Sequence, residues 1–274
     1  MSKIAKALHA ISSIIKNPVL LNRVLQDPDI WYGHVDSKYK MAHGLQVISP
    51  GDLFGSDHIE HLDIFTFLDG GSLVTDITLL RGLAKKFKAC SYFEIGTWRG
   101  ESVVNVSGIA ESCYTLNLSD DELKNMKVSE KSIGLQGFFS RDVPGITQLY
   151  GNSRDFDFEK LNRKFDLIFI DGSHHYDDVK NDTIQVFRHL VHEKSIVVWH
   201  DYGVNPEQVR FEVLAGILDG LDPGYHPYLY HVAHTKSAIY LNTKIKATIL
   251  DAPVRPEGYY TVTVKYKSLD KRAD

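Results

Sequence analysis

The sequence predicts an α/β fold, a doubly wound and mostly parallel sheet with helices on both faces. Two observations carry that reading. Short apolar-rich runs alternate with helical segments roughly every 20 to 33 residues, the pattern of strands buried on both sides of a parallel sheet. Polar residues gather directly after those runs, at the carboxyl edge where such sheets bind ligands. The composition agrees: 43% hydrophobic and 24% charged residues in a chain of 274 exclude disorder, collagen and coiled coil. That length accommodates one domain with additions or two smaller ones. A net charge of −4, from 31 basic and 35 acidic residues, argues against a nucleic-acid partner. Two cysteines, Cys90 and Cys113, can build neither a disulfide scaffold nor a four-cysteine zinc site, which points to a reducing, cytoplasmic setting.

In chain order, residues 1–70 read as an N-terminal helical extension and lid. Ile4, Leu8, Ile11 and Ile15 recur at helical spacing, interrupted by Lys3, Lys6, His9 and Lys16, so this is no signal-peptide core. No apolar run reaches the roughly 20 residues that span a bilayer. The stripe over residues 3–17 has two uses open to it: packing on the main domain or a second copy in a homodimer, or contact with a membrane surface. Pro18 ends or kinks this helix, and a second helical piece is expected from Leu20 to Leu25. Residues 26–71 read as irregular, with Trp31, Tyr32 and Phe54 available to stack on a sugar ring.

Residues 71–242 carry the regular pattern. Ile77, Leu80, Ala84 and Phe87 mark a helix face, and Tyr92–Ile95 the first strand of the alternating series. A helix over Glu101–Ala110, a strand over Tyr114–Leu118 and another at Gln148–Tyr150 follow. Strands at Phe165–Ile170 and Ile196–Trp199 flank a helix that turns Val179, Thr183, Val186, Phe187 and Leu190 inward. Tyr228–Ala233 and Ala238–Leu241, split by His234-Thr235-Lys236-Ser237, predict a closing antiparallel hairpin. In residues 243–274 the alternation from Tyr259 to Tyr266 predicts an added edge strand.

The strand edges hold the candidate chemistry. The first runs into Glu94-Ile95-Gly96-Thr97-Trp98-Arg99-Gly100-Glu101-Ser102, whose glycines and helix start suit a nucleoside-type ligand. Trp98 stands where a dinucleotide fingerprint wants glycine, and the chain has neither a GxxxxGK[ST] phosphate loop nor a GxSxG elbow. Later strands end in Asp171-Gly172-Ser173-His174-His175-Tyr176-Asp177-Asp178 and in His200-Asp201-Tyr202-Gly203. Asp177 and Asp178 suit a helix first turn, whereas Asp171 and Asp201, closing apolar strands, have no packing reason to be there. Asp155-Phe156-Asp157 offers an Asp-x-Asp of the kind that holds a metal–nucleotide.

Glu94-Ile95-Gly96-Thr97-Trp98-Arg99-Gly100 resembles the first motif of class I S-adenosylmethionine-dependent methyltransferases. Phe165 to His174, with Tyr176 and Asp182, resembles their fourth-strand motif. The version is similar to the branch containing catechol-type and macrocin/mycinamicin sugar O-methyltransferases, over about residues 72–242. The resemblance implies a Rossmann-like, seven-stranded sheet with S-adenosylmethionine as cofactor. It places the cofactor against Glu94, Gly96, Thr97, Gly100, Asn117, Asn152, Ser153 and Asp171, with Asn152 or Ser153 at the adenine. It implies a divalent metal such as Mg²⁺ on Asp171, His200 and Asp201, and a base at His174. The family more often has Glu-Asp or Asp-Asn where this chain has His200-Asp201, and an acid at Asn117, with Asp120 nearby here.

The expected activity is O-methylation of a sugar or small-metabolite hydroxyl. Asp171 and Asp201 orient acceptor or metal, and a neutral His174 takes the proton. His200, a poor Mg²⁺ ligand, can serve as a second base or favour another metal. His175 remains a third candidate base. Two other functions stay open: a non-catalytic nucleoside-binding protein of this fold, and a metal-dependent sugar-nucleotide transferase using Asp155 and Asp157.

Overall fold

A computed structural model describes residues 2–21 and 28–269. Helix α1 (Lys3–Lys16) starts at Ser2, whose hydroxyl accepts from the Ala5 N–H, and buries none of its residues. Leu20 and Leu21 are helical, while the rest of the expected Leu20–Leu25 piece lies outside the described residues.

The stretch expected to be irregular is structured. It holds α2 (Pro28–Tyr39), β1 (Gln46–Ile48) and α3 (Pro50–Phe54). Helix α2 buries Val35 in the core, with Trp31 and Tyr39 packed beside it, and polar contacts complete its anchoring. Asp219, on the later helix α9 (Phe211–Gly220), accepts from His34 Nε2 at 3.0 Å, Lys38 Nζ at 2.6 Å and the Tyr39 hydroxyl. A helix held partly by polar contacts shows only a weak 3.6-residue apolar period, which is why its sequence reads as loop.

The alternating region follows. It runs α4 (Val74–Ala84), β2 (Ser91–Ile95), α5 (Glu101–Ser107), β3 (Ser112–Asn117), α6 (Asp120–Asn125), α7 (Glu130–Gly134), β4 (Ile146–Tyr150), β5 (Leu167–Ile170), α8 (Tyr176–His189) and β6 (Ile196–Trp199). After a small antiparallel pair, β7 (Gly203–Asn205) and β8 (Gln208–Val209), α9 leads to β9 (Leu229–Val232) and β10 (Ala238–Tyr240). Helix α5 and strand β3 stop short of the expected Ala110 and Leu118.

The main sheet has eight strands in the order β1-β9-β10-β6-β5-β2-β3-β4, one more than expected. The addition is β1, parallel to β9 through Val47↔His231 and too short to announce itself in the sequence. Strand β10 runs antiparallel to both β6 and β9, so the predicted hairpin closes the sheet. One apolar cluster, with Phe93, Ile168, Val197 and Trp199, packs under α8 and α9. The other, with Tyr92, Phe169 and Val198, packs under α4 and α5. The central strands β2, β5 and β6 are therefore covered on both faces, and the carboxyl ends of the parallel strands β2 to β6 share one edge.

The edge strand expected at Tyr259–Tyr266 does not form, and Tyr259 and Tyr266 are 91% and 88% exposed. Val47 on the outer edge of β1 exchanges backbone hydrogen bonds with Thr248 instead, so alternation without a free ladder leaves 259–266 unpaired.

Candidate active site

Strand β2 ends at Ile95 and turns through Gly96, whose φ of +97° lies in the left-handed region. A Cβ there would stand 2.5 Å from the Asp171 carbonyl carbon and 2.9 Å from the Gly172 nitrogen. Gly96 thus admits the backbone of the neighbouring strand end, where the sequence suggested room for a ligand. Gly100, at φ +80°, caps α5, and a Cβ on it would meet the Ser140 Cβ at 2.7 Å. The 137–140 turn lies over this loop, with Gly137 N–H donating to Trp98 O at 2.5 Å and Phe139 N–H to Arg99 O at 2.9 Å.

Glu94, expected at the cofactor, is sealed beneath the loop at 0% exposure. Its carboxylate accepts from the Tyr92 hydroxyl (2.7 Å), Ser102 Oγ (2.8 Å) and Thr115 Oγ1 (2.8 Å), which leaves it no outward-facing oxygen. It stiffens the turn from below. Burial pushes its pKa from 4.5 up to about 7 against those three donors. A raised carboxyl pKa means the folded chain holds the proton more tightly than the unfolded one. The stabilisation is therefore complete below pH 4.5 and is lost as pH climbs through about 7. Glu94→Gln should flatten that dependence: the stability of wild type relative to the variant, read by urea unfolding, should fall by about 3 kcal/mol between pH 4.5 and 8. Parallel pH profiles would contradict it.

Beyond the turn, a cleft of about 480 Å³ opens at the ends of β2, β3 and β4. Its walls include Thr97, Asn117, Asp120, Gln136, Gln148 and Tyr150. Thr97 bonds Thr115 at 2.5 Å, and Asn117 donates its amide to Gln136 Oε1 at 3.0 Å. Asn152 and Ser153 follow Tyr150 but are not among these wall residues. The Asn152 Oδ1 accepts from Arg154 N–H at 3.0 Å, turning the chain. Ser153 hydrogen-bonds the largely buried Asp182 of α8, whose pKa burial raises to about 6.

The second group of predicted residues does come together. Asp171 closes β5, and His200 and Asp201 follow β6; one ligand atom from each lies within 4.8 Å of the others. His174 joins them, with Nδ1 3.2 Å from Asp201 Oδ2. Burial lowers the His174 pKa below 6.5 despite the nearby Asp201, so the imidazole is neutral at neutral pH. Asp201 adopts φ +53°, a costly conformation for a non-glycine residue, and such strain clusters at functional sites. Burial would raise its pKa, but His200 and Lys236 hold it well below the carboxylate range.

His175 caps α8 and pairs through Nδ1 with Glu212 Oε1 at 3.3 Å, outside the cluster. Asp177 and Asp178 occupy the first turn of α8 as read, and Asp178 pairs with Arg154 at 2.7 Å. Asp157 caps a 3₁₀ turn and pairs with Lys160 at 3.1 Å, so the Asp-x-Asp reading gains no metal-holding pair. Trp31 and Phe54 are already stacked, on Tyr176 and His58 respectively.

Sequence reasoning missed the residue that aims His200. Asp76, on α4 and 0% exposed, accepts from Lys236 N–H (2.8 Å) and Ser237 Oγ (3.0 Å) on one oxygen. Its other oxygen bonds His200 Nε2 at 3.1 Å. His200 Nδ1 consequently points at Asp171 Oδ1 (2.9 Å) and Asp201 Oδ2 (3.4 Å), without hydrogen-bond geometry to either. Burial opposes charge on the ring, yet Asp171 and Asp76 raise its pKa well above 6.5. Asp76→Asn should lower that pKa, a shift read from the His200 ring carbon signals in an NMR titration; an unmoved titration would discount the contact. Lys236 and Arg210 complete the charge balance, with Lys236 Nζ 2.8 Å and Arg210 Nη2 3.8 Å from Asp201 Oδ1.

A glycine turn, a polar cleft and a cluster of carboxylates and imidazoles thus lie along one carboxyl edge of a doubly wound sheet, the edge where such sheets bind ligands. Residues 93–202 match the sequence family described as "Methyltransferase domain". No curated protein matches the chain. Among solved structures, it is similar to SAH-bound Podospora anserina methyltransferase PaMTH1, at 17% identity and TM-score 0.43, covering 60% of this chain and 76% of that one. It is also similar to Streptomyces venezuelae DesVI, at 19% identity and TM-score 0.32. That match spans 46% of this chain and about half, 48%, of DesVI. A SAM-bound amino pentose methyltransferase from Micromonospora echinaspora, CalS10, matches at 14% identity and TM-score 0.31 over 46% and 48% of the two chains.

Proposed function

We infer that the chain is an S-adenosylmethionine-dependent O-methyltransferase acting on a hydroxyl of a sugar or other small metabolite. The observation that supports it most is the meeting of Asp171, His174, His200 and Asp201 beside the glycine turn. A sulfonium methyl is already electrophilic, so the protein has to align an acceptor oxygen with it and remove a proton. Asp201 beside Nδ1 of His174 favours the proton there and leaves the Nε2 lone pair for the acceptor hydroxyl. The cofactor's nucleoside suits the cleft by Thr97, Asn117 and Asp120, where Asn117 or Asp120 can meet the ribose hydroxyls.

The cluster also fits a divalent cation. Asp76 accepts a hydrogen bond from Nε2 of His200 and leaves the otherwise unbonded Nδ1 aimed between two carboxylates, the carboxylate–histidine arrangement of metal sites, so an ion would displace the Nδ1 proton that Asp171 and Asp76 favour. Asp171, His200 and Asp201 would hold the ion, which would lower the pKa of the acceptor hydroxyl and fix its orientation. One nitrogen in the set favours Mn²⁺, Fe²⁺ or Zn²⁺ over Mg²⁺.

The cytoplasmic, reducing setting remains part of this reading, supported by free thiols at Cys90 and Cys113. Among the described residues no helix is long and apolar enough to cross a membrane. Isothermal titration with S-adenosylhomocysteine and with nucleotide sugars, followed by methyl transfer from labelled cofactor to sugars and phenols, tests the assignment. Cofactor-product binding with transfer to a small hydroxyl supports it. Nucleotide-sugar binding alone selects the glycosyl reading, and S-adenosylhomocysteine binding without transfer to any acceptor selects the non-catalytic one.

A further inference from the structure

Helix α1 is the one described helix that buries no side chain while presenting a full apolar stripe. Ile4, Leu8, Ile11 and Ile15 are 73%, 63%, 54% and 74% exposed. At 100° per residue these four fall within about 60° of the helix circumference. Lys3, Lys6, His9 and Lys16 lie around the remainder. The charge is equally one-sided. Residues 1–26 hold four basic residues (Lys3, Lys6, Lys16 and Arg23) and no acidic one, which leaves a net −8 for the rest of a chain whose total is −4.

We propose that α1 docks on an anionic lipid surface, its isoleucine–leucine stripe among the acyl chains and its lysines at the headgroups. An apolar face flanked by lysines is the composition that settles in a bilayer interface. The absence of any carboxylate over the first 26 residues means that no charge of this segment itself repels anionic headgroups. Self-association through the same stripe would bring the lysines of two copies together without a carboxylate on either helix to pair them. The helix is about 21 Å long, long enough to lie in the interface and too short to span it.

The test is co-sedimentation of the full chain with vesicles of phosphatidylcholine alone or with 30% phosphatidylglycerol. Wild type should bind the anionic vesicles, lose that binding in high salt, and bind pure phosphatidylcholine weakly. Leu8→Glu with Ile11→Glu should abolish binding, and each Lys→Gln at residues 3, 6 and 16 should weaken it about fivefold. S-adenosylhomocysteine affinity should be equal in all variants, which separates failure of docking from failure of the cofactor reading. No binding to anionic vesicles overturns the proposal, as does equal binding to both compositions. A wild-type dimer in sedimentation velocity that Leu8→Glu/Ile11→Glu dissolves, with no vesicle binding, assigns the face to a second copy instead.

Discussion

If the proposed reaction holds, His174→Ala should lower methyl-transfer turnover by roughly 10²-fold or more and leave S-adenosylhomocysteine affinity unchanged. The imidazole is neutral because burial lowers its pKa, and Asp201 favours the tautomer that keeps Nε2 free as a base. It is also half-exposed, with 48% of its side-chain surface open to solvent, so an acceptor can reach it. The discriminating measurement is the pH profile of turnover. Wild type should lose activity on the acid side as the imidazole takes up a proton, and the variant should not. Near-normal turnover in His174→Ala would remove His174 as the base and point to His175, to His200 or to catalysis by proximity alone.

The second large effect is on the fold. In Gly96→Ala the new methyl group would collide with the Asp171 carbonyl, which belongs to rigid backbone at the end of β5 and has no side chain to rotate away. The +97° φ adds strain of its own. Together these should cost roughly 3 kcal/mol or more, a fall in Tm of at least about 6 °C for a domain of this size. Because Asp171 would be displaced by the same collision, methyl transfer should suffer along with stability. A thermal midpoint equal to wild type would show that the two strand ends stand farther apart than described. Gly172→Ala is the contrast: its Cβ would make only ordinary 3.5 Å contacts with Asp182 and Ile95.

The sheet was readable because Tyr92–Ile95, Leu167–Ile170 and Ile196–Trp199 are buried on both faces, and that burial shows directly as apolar runs. The hairpin before Leu241 was readable for the same reason. Helix α2 and strand β1 were not, since polar contacts to Asp219 help to hold the one and three residues make the other. At the site, Asp171, His174, His200 and Asp201 stood out as titratable residues at or just beyond the ends of apolar strands. Asp76 gave no such signal: an aspartate three residues into a helix reads as a capping residue, and it does serve as one by accepting from the Leu73 N–H at 2.8 Å. Its second task, toward His200, depends on a partner 124 positions away. Glu94 misled in the opposite direction, because a carboxylate beside a glycine turn has the same sequence signature whether it faces a ligand or the interior.

The contacts of Asp76 bear on how the chain is synthesised. It binds His200 across 124 residues, Lys236 across 160 and Ser237 across 161, so one buried carboxylate ties together a helix that emerges early and a turn that emerges near the end. A nascent chain that has left the ribosome as far as Asp201 already carries every proposed acid and base. It still lacks Lys236, which sits 2.8 Å from the Asp201 carboxylate, and β9 and β10, which fix that lysine in place. Partly made chains therefore hold the reactive groups without the frame that aims them, and catalytic competence arrives only with the last strands of the sheet.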